Sequence, residues 1–142
     1  MDVVDAAKRS QMMAGIKSKN TRPELKVRKF LHSKGFRFRL HSTKLPGSPD
    51  LVLPKFKVAI FVHGCFWHRH RNCRYSTNPS SNCEQWNAKF EINVARDARN
   101  LAALTDLGWT VIVVWECELR GDTQERLEQL VSQLHEIGRK VF

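Results

Sequence analysis

The chain has 142 residues, 42% of them hydrophobic and 27% charged, with a formal net charge of +10 and a pI near 9.9. That length suits one domain with a hydrophobic core, the composition is that of a globular and not a disordered chain, and no apolar run reaches the roughly 18 residues of a membrane span. The N-terminus lacks a basic segment followed by an apolar one, so a cytosolic and reducing setting is expected.

The positive charge is uneven. Residues 1–40 hold eleven Lys and Arg against three Asp and Glu. Such a surplus suits a polyanionic partner, nucleic acid first. A basic solvated surface is the plainer reading, but here the charge accompanies aromatic and candidate catalytic side chains. Residues 1–20 are largely polar and basic and short of core-forming residues, with Met12 and Met13 as the exception, and read as a DNA-contacting arm or short surface helix, with a frayed terminus of no role as the alternative; the domain proper is expected over 21–142.

In chain order, Thr21-Arg22-Pro23-Glu24 has the form of a helix start: a capping Thr, a first-turn Pro, and a Glu three residues after the cap. A helix is predicted over 22–34, stopped by Gly35. Residues 36–40 alternate apolar and basic, a half-buried strand. A turn-rich loop over 41–49 leads to a short strand at 50–53, a Pro54-Lys55 turn and a longer buried strand at 56–62. These three strands suggest an antiparallel meander.

The stretch from Phe61 to Cys73 then concentrates three His, two Cys, two Arg, a Gly and three aromatics. A loop follows over 74–83. A helix is predicted over 84–107, with a break near Asn93 and with Trp86, Phe90, Val94, Leu101 and Leu104 facing inward. Residues 109–115 form a buried strand, and a last helix opens near residues 122–125. The order is α-β-β-β-α-β-α, a mixed α/β sheet flanked by helices. The crossover helix makes the last strand pair in parallel.

The chemistry is expected where the meander brings strand ends together. Asp50 offers a hard oxygen ligand for Mg²⁺, with the backbone carbonyl near Val62 as a second. His63 and His68 can carry protons near neutral pH, and Asp97 can orient one of them. Surface pairing of Asp97 with Arg96 or Arg99 is the commoner fate of such a carboxylate. For Glu24, capping is the plainer role and an active-site carboxylate the sharper one. Cys65-x4-His70-x2-Cys73 has metal-ligand spacing, and a fourth ligand from Cys117 or Cys83 would complete a tetrahedral site for structural Zn²⁺. Cys117 directly follows a buried strand, which favours it. Phe66 and Trp67 can wedge between base pairs, or else cover the zinc site.

The runs Leu45-Pro46-Gly47-Ser48-Pro49-Asp50, Phe61-Val62-His63-Gly64-Cys65-Phe66-Trp67-His68 and Gly108-Trp109 through Trp115-Glu116-Cys117-Glu118-Leu119-Arg120-Gly121 carry a resemblance to the bacterial very-short-patch repair endonucleases, over roughly residues 8–121. The resemblance implies a restriction-endonuclease-like fold and Mg²⁺-dependent, strand-specific nicking of double-stranded DNA on the 5′ side of the T in a T·G mismatch, the product of 5-methylcytosine deamination. It implies Asp50 and the Val62 carbonyl as Mg²⁺ ligands and His68 as the group that activates water. His63, Glu24 and Asp97 would support it, which reverses the plainer readings of Glu24 and Asp97. Cys65, His70, Cys73 and Cys117 would bind zinc, with His68 the alternative to His70. Phe66, Trp67 and Met13 would intercalate. Nucleases of this fold often carry Glu-x-Lys on the second catalytic strand; Val62-His63 stands there instead, so histidine must replace the lysine. A monomer suits an asymmetric mismatch, and mismatch-repair proteins are the protein partners such an activity would meet.

Overall fold

The computed structural model describes residues 21–121 and 123–141. The proposed arm, with Met13, lies outside them. Helix α1, Arg22–Ser33, begins at Thr21, whose hydroxyl accepts from the Glu24 N–H at 3.4 Å. Strands β1 (Arg39–Leu40), β2 (Leu51–Leu53) and β3 (Val58–His63) follow. A one-turn helix α2 (Cys65–His68), the long helix α3 (Cys83–Asp106), strand β4 (Thr110–Trp115), a 3₁₀ turn (Glu116–Leu119) and helix α4 (Gln124–Val141) complete the order.

The sheet runs β1-β2-β3-β4, antiparallel in its first two pairings and parallel in the last. Meander and crossover thus stand as the sequence suggests. Its two faces differ. Leu51, Leu53, Val58, Ile60, Ile112 and Val114 pack with Val27 and Leu31 of α1 and with Leu127, Leu130 and Leu134 of α4 into one core. Residues of the opposite parity, Phe61, His63, Val111 and Val113, line a cleft whose other wall is α3.

Several boundaries differ from the sequence reading. The strand expected over 36–40 is reduced to residues 39–40, because Phe36 is used to stop α1. Its N–H bonds to the Leu31 carbonyl and that of Gly35 to His32, with Gly35 at φ +84°. This is the paired-bond helix stop that places an apolar residue after the glycine. The same device ends α3. Trp109 N–H bonds to Leu104 and Gly108 N–H to Thr105, so β4 begins at Thr110 and not at Trp109. Helix α3 runs through Asn93 without a break. Two of its expected inward residues, Val94 and Leu101, are 46% and 47% exposed. They line the cleft, where α3 stands off the sheet. Within the 61–73 stretch, residues Cys65–His68 form α2. Among the described residues no helix is long and apolar enough to cross a membrane.

Candidate active site and metal centre

The cleft encloses about 1170 Å³ and carries Asp50, His63, Trp67, His68 and Asp97 along its polar end. Asp50 immediately precedes β2. Its Oδ2 accepts the Val62 backbone N–H at 2.7 Å. A strand residue presents its N–H and C=O to the same side, so the Val62 carbonyl also lies toward Asp50. Burial raises the Asp50 carboxyl to about 6, opposed by the Val62 bond and reinforced by neighbouring Glu24.

His63 ends β3, and its ring lies flat on that of His68, with centroids 3.8 Å apart and planes 4° off parallel. The His68 Nδ1 lies 2.6 Å from Asp97 Oδ2. A carboxylate holding the Nδ1 proton leaves the Nε2 lone pair free to accept one. Burial, followed by the proximity of His68, lowers His63 to about 4. His63 is therefore neutral near pH 7, and its ring is a platform for His68.

Glu24 is 1% exposed. Its backbone N–H takes the Thr21 cap, but its carboxylate turns inward, 2.9 and 3.0 Å from His41 Nε2 and 3.3 Å from Arg28. Glu24, His41 and Asp50 offer ligand atoms all within 4.8 Å of one another. Nothing in the local sequence marks His41, which sits among turn formers. The sole hint is its place one residue past a strand that must pair beside Asp50.

A second cluster lies behind the first. Cys65, His70, Cys73 and Cys117 bring their ligand atoms within 4.8 Å of one another. His70 Nδ1 is 3.7 Å from Cys65 Sγ and 3.4 Å from Cys117 Sγ. Ligands at ~2.3 Å (S) and ~2.05 Å (N) around a tetrahedral Zn²⁺ lie about 3.5 Å apart, so the arrangement fits that ion. All four cysteines are free thiols. Burial pushes the Cys65 thiol up to about 12, so a thiolate there calls for a cation. Cys83, the alternative ligand, is elsewhere: it is exposed at the start of α3, with its thiol on the Pro79 carbonyl. His68 likewise stands with Asp97 and not with the thiols.

His68 and His70 part company at Arg69, which adopts φ +54° and caps α2. Its guanidinium bonds to the carbonyls of Phe66, Ser76 and Thr77 and to Asn78, and lies 4.1 Å over the Phe90 ring. Trp115, read from sequence as core, lies between the Cys/His cluster and the His63–His68 pair, stacked on His70 at 4.1 Å and edge-on to His63 at 5.3 Å. Phe66 and Trp67 are half-buried and pack with Trp86 and Phe90 against α3. Only Trp67 of the two lines the cleft.

An open cleft with a half-buried carboxylate, a strand-end carbonyl and a carboxylate-held imidazole suits hydrolysis, and comparison with known proteins narrows the class to endonucleases. Residues 1–74 match the family model described as DNA mismatch endonuclease Vsr. The chain is 48% identical over 133 residues to type II nicking enzyme V.XorIIP of Xanthomonas oryzae, covering 92% of this chain and 97% of that one. It is 44% identical over 135 residues to type II nicking enzyme V.NmeAIP of Neisseria meningitidis, covering 94% and 96%. It is 41% identical over 135 residues to DNA mismatch endonuclease Vsr of Escherichia coli, covering 95% and 86%. The chain belongs to the DNA mismatch endonuclease Vsr family.

Proposed function

We propose that this chain is a strand-specific DNA mismatch endonuclease that cuts on the 5′ side of the T in T·G pairs and so starts very-short-patch repair. The observation that carries the reading is the convergence of Asp50 with the Val62 strand end and of His68 with Asp97 in one cleft. The relatives' names, a mismatch endonuclease and nicking enzymes, support it.

Asp50 and the Val62 carbonyl would hold Mg²⁺, and the bound ion would supply Lewis-acid chemistry toward the phosphate and the attacking water. Glu24 supports Asp50 from the buried side. His68 takes the proton of the attacking water at Nε2, Asp97 holds the opposite ring nitrogen, and neutral His63 keeps the ring in plane. This histidine pair stands in for the lysine used by other nucleases of the restriction-endonuclease-like fold. Cys65, His70, Cys73 and Cys117 would hold structural Zn²⁺, tying α2 to the end of β4. Phe66 and Trp67, with Met13 of the arm, would wedge beside the mismatch, where unstacking is easiest. The arm over 1–20 contacts DNA and residues 21–142 form the endonuclease domain. The protein acts as a monomer in the cytosol, alongside mismatch-repair proteins.

The test is nicking of end-labelled duplexes carrying T·G or T·A at one position, with Mg²⁺ or with EDTA. A single Mg²⁺-dependent cut beside the T, confined to the T·G duplex, is the expected result. Cutting of both duplexes would instead favour a restriction-type nicking enzyme, and binding without cutting a zinc-containing DNA-binding module.

A further inference from the structure

His41 is the one member of the Glu24, His41 and Asp50 group that the proposed mechanism leaves without a role. Its backbone is fixed to Asp50. The ladder Arg39↔Val52, Leu40↔Leu51 continues for one further bond, from the His41 N–H to the Asp50 carbonyl at 3.0 Å. The chain then turns sharply, with His41 at φ +49°. Its Nε2 lies 2.9 and 3.0 Å from the two oxygens of Glu24. Adjacent ligands of an octahedral cation with bonds of 2.0–2.1 Å are about 3 Å apart. The imidazole and carboxylate thus already have ligand-to-ligand spacing, beside a second carboxylate.

We propose that His41 Nε2 is a direct ligand of the divalent cation that Asp50 binds, with Glu24 as the second carboxylate, so that this centre takes Mn²⁺ more tightly than Mg²⁺. The inference rests on the reading of Asp50 as a cation ligand. Its basis is donor chemistry. Mg²⁺ prefers an all-oxygen shell and keeps its water, whereas imidazole is a better donor to later divalent ions of the first transition row. Glu24 is the most deeply buried ionisable side chain of the group, and Arg28 also holds it in place.

The experiment uses the full chain and Mn²⁺ alone as probe. Binding is followed by loss of the free-ion electron paramagnetic resonance signal, with Mg²⁺ competition to rank the two ions. Pulsed resonance on the bound ion reports nitrogen coupling from an imidazole ligand. The wild type should bind Mn²⁺ in preference to Mg²⁺ and show that coupling. His41→Gln should lose the coupling and weaken Mn²⁺ binding about tenfold or more, while Mg²⁺ binding changes little. His41 stands outside the hydrophobic core, and His41→Asn, with circular dichroism on both, guards against a folding defect.

Persistence of nitrogen coupling and affinity in folded His41 variants overturns the proposal. Asp50→Asn separates this from the underlying reading. If it abolishes Mn²⁺ binding while His41→Gln does not alter it, Asp50 stands as a ligand and His41 falls. If Asp50→Asn binds Mn²⁺ as the wild type does, the cation is not on Asp50, and both readings fall.

Discussion

Asp50 and His63 face the same cleft with pKa shifts of opposite sense. Asp50 rises from 3.8 to about 6. Between those values the folded chain holds a proton the unfolded chain has lost, so this group's contribution falls as pH rises and is unfavourable above about 6. His63 drops from 6.5 to about 4. In that window the unfolded chain holds the extra proton, so stability is gained as pH rises and lost on acidification. Each shift corresponds to roughly 3 kcal/mol, and the two largely offset between pH 4 and 6. Removing one should expose the other. Asp50→Asn keeps an acceptor for the Val62 N–H and should stabilise the protein by about 2–3 kcal/mol at pH 7 without divalent cations, with no gain at pH 4. Urea unfolding at the two pH values measures this, and the same variant should not nick. Asp97→Asn should lower nicking about 10³-fold or more by presenting the wrong His68 tautomer, with little change in duplex affinity; single-turnover rates and gel shifts separate the two.

At the scale of elements, loop, helix and metal centre fix one another. Gly47 adopts φ +77°, and a Cβ there would stand 2.9 Å from Asn100 Nδ2 and 3.0 Å from its Cβ. The loop leading to Asp50 is thus pressed against α3. Gly47→Ala should cost about 1–3 kcal/mol in thermal or urea unfolding. Adding Asn100→Ala should recover the contact part and leave the backbone part. On the proposal that the Cys/His cluster holds zinc, Cys117→Ala should lower zinc content and destabilise the fold, whereas Cys83→Ser should leave metal stoichiometry unchanged; elemental analysis of the purified variants decides. Helix starts, glycine stops, strand polarity and the Cys/His spacing were legible in the sequence because each depends on a few neighbouring residues. Phe36 and Trp109 looked like strand residues because the helix stop ahead of each borrows the first residue that follows its glycine. Val94 and Leu101 fit an inward helical stripe, but periodicity cannot tell a packed face from one that lines an open cleft. His41 left only its place one residue past a strand, since its position beside Glu24 and Asp50 depends on the register between β1 and β2 and on a helix residue seventeen positions earlier in the chain.

For the molecule as a whole, a net charge of +10 and an open cleft suit a polymer of phosphates better than a small ligand. Duplex binding should weaken steeply with salt, the log–log slope giving about 0.9 per phosphate neutralised. If residues 1–20 contact DNA, a chain beginning at residue 21 should show a shallower slope and reduced mismatch preference, read by titrating labelled T·G and T·A duplexes at several salt concentrations.

One residue, Arg69 in its left-handed turn, separates His68, which sits against Asp97, from His70, which sits among the thiols. His68 and His70 are so close along the backbone that neither can be placed without the other. A chain whose four-ligand centre is empty keeps the His68 bond to Asp97 and the stack on His63 but loses the anchor two residues further on, and should therefore cut more slowly. If zinc fills that centre, metal loading would act as a safety catch on the proposed nicking activity, and stripping the metal from the purified chain should slow cutting before it unfolds the domain.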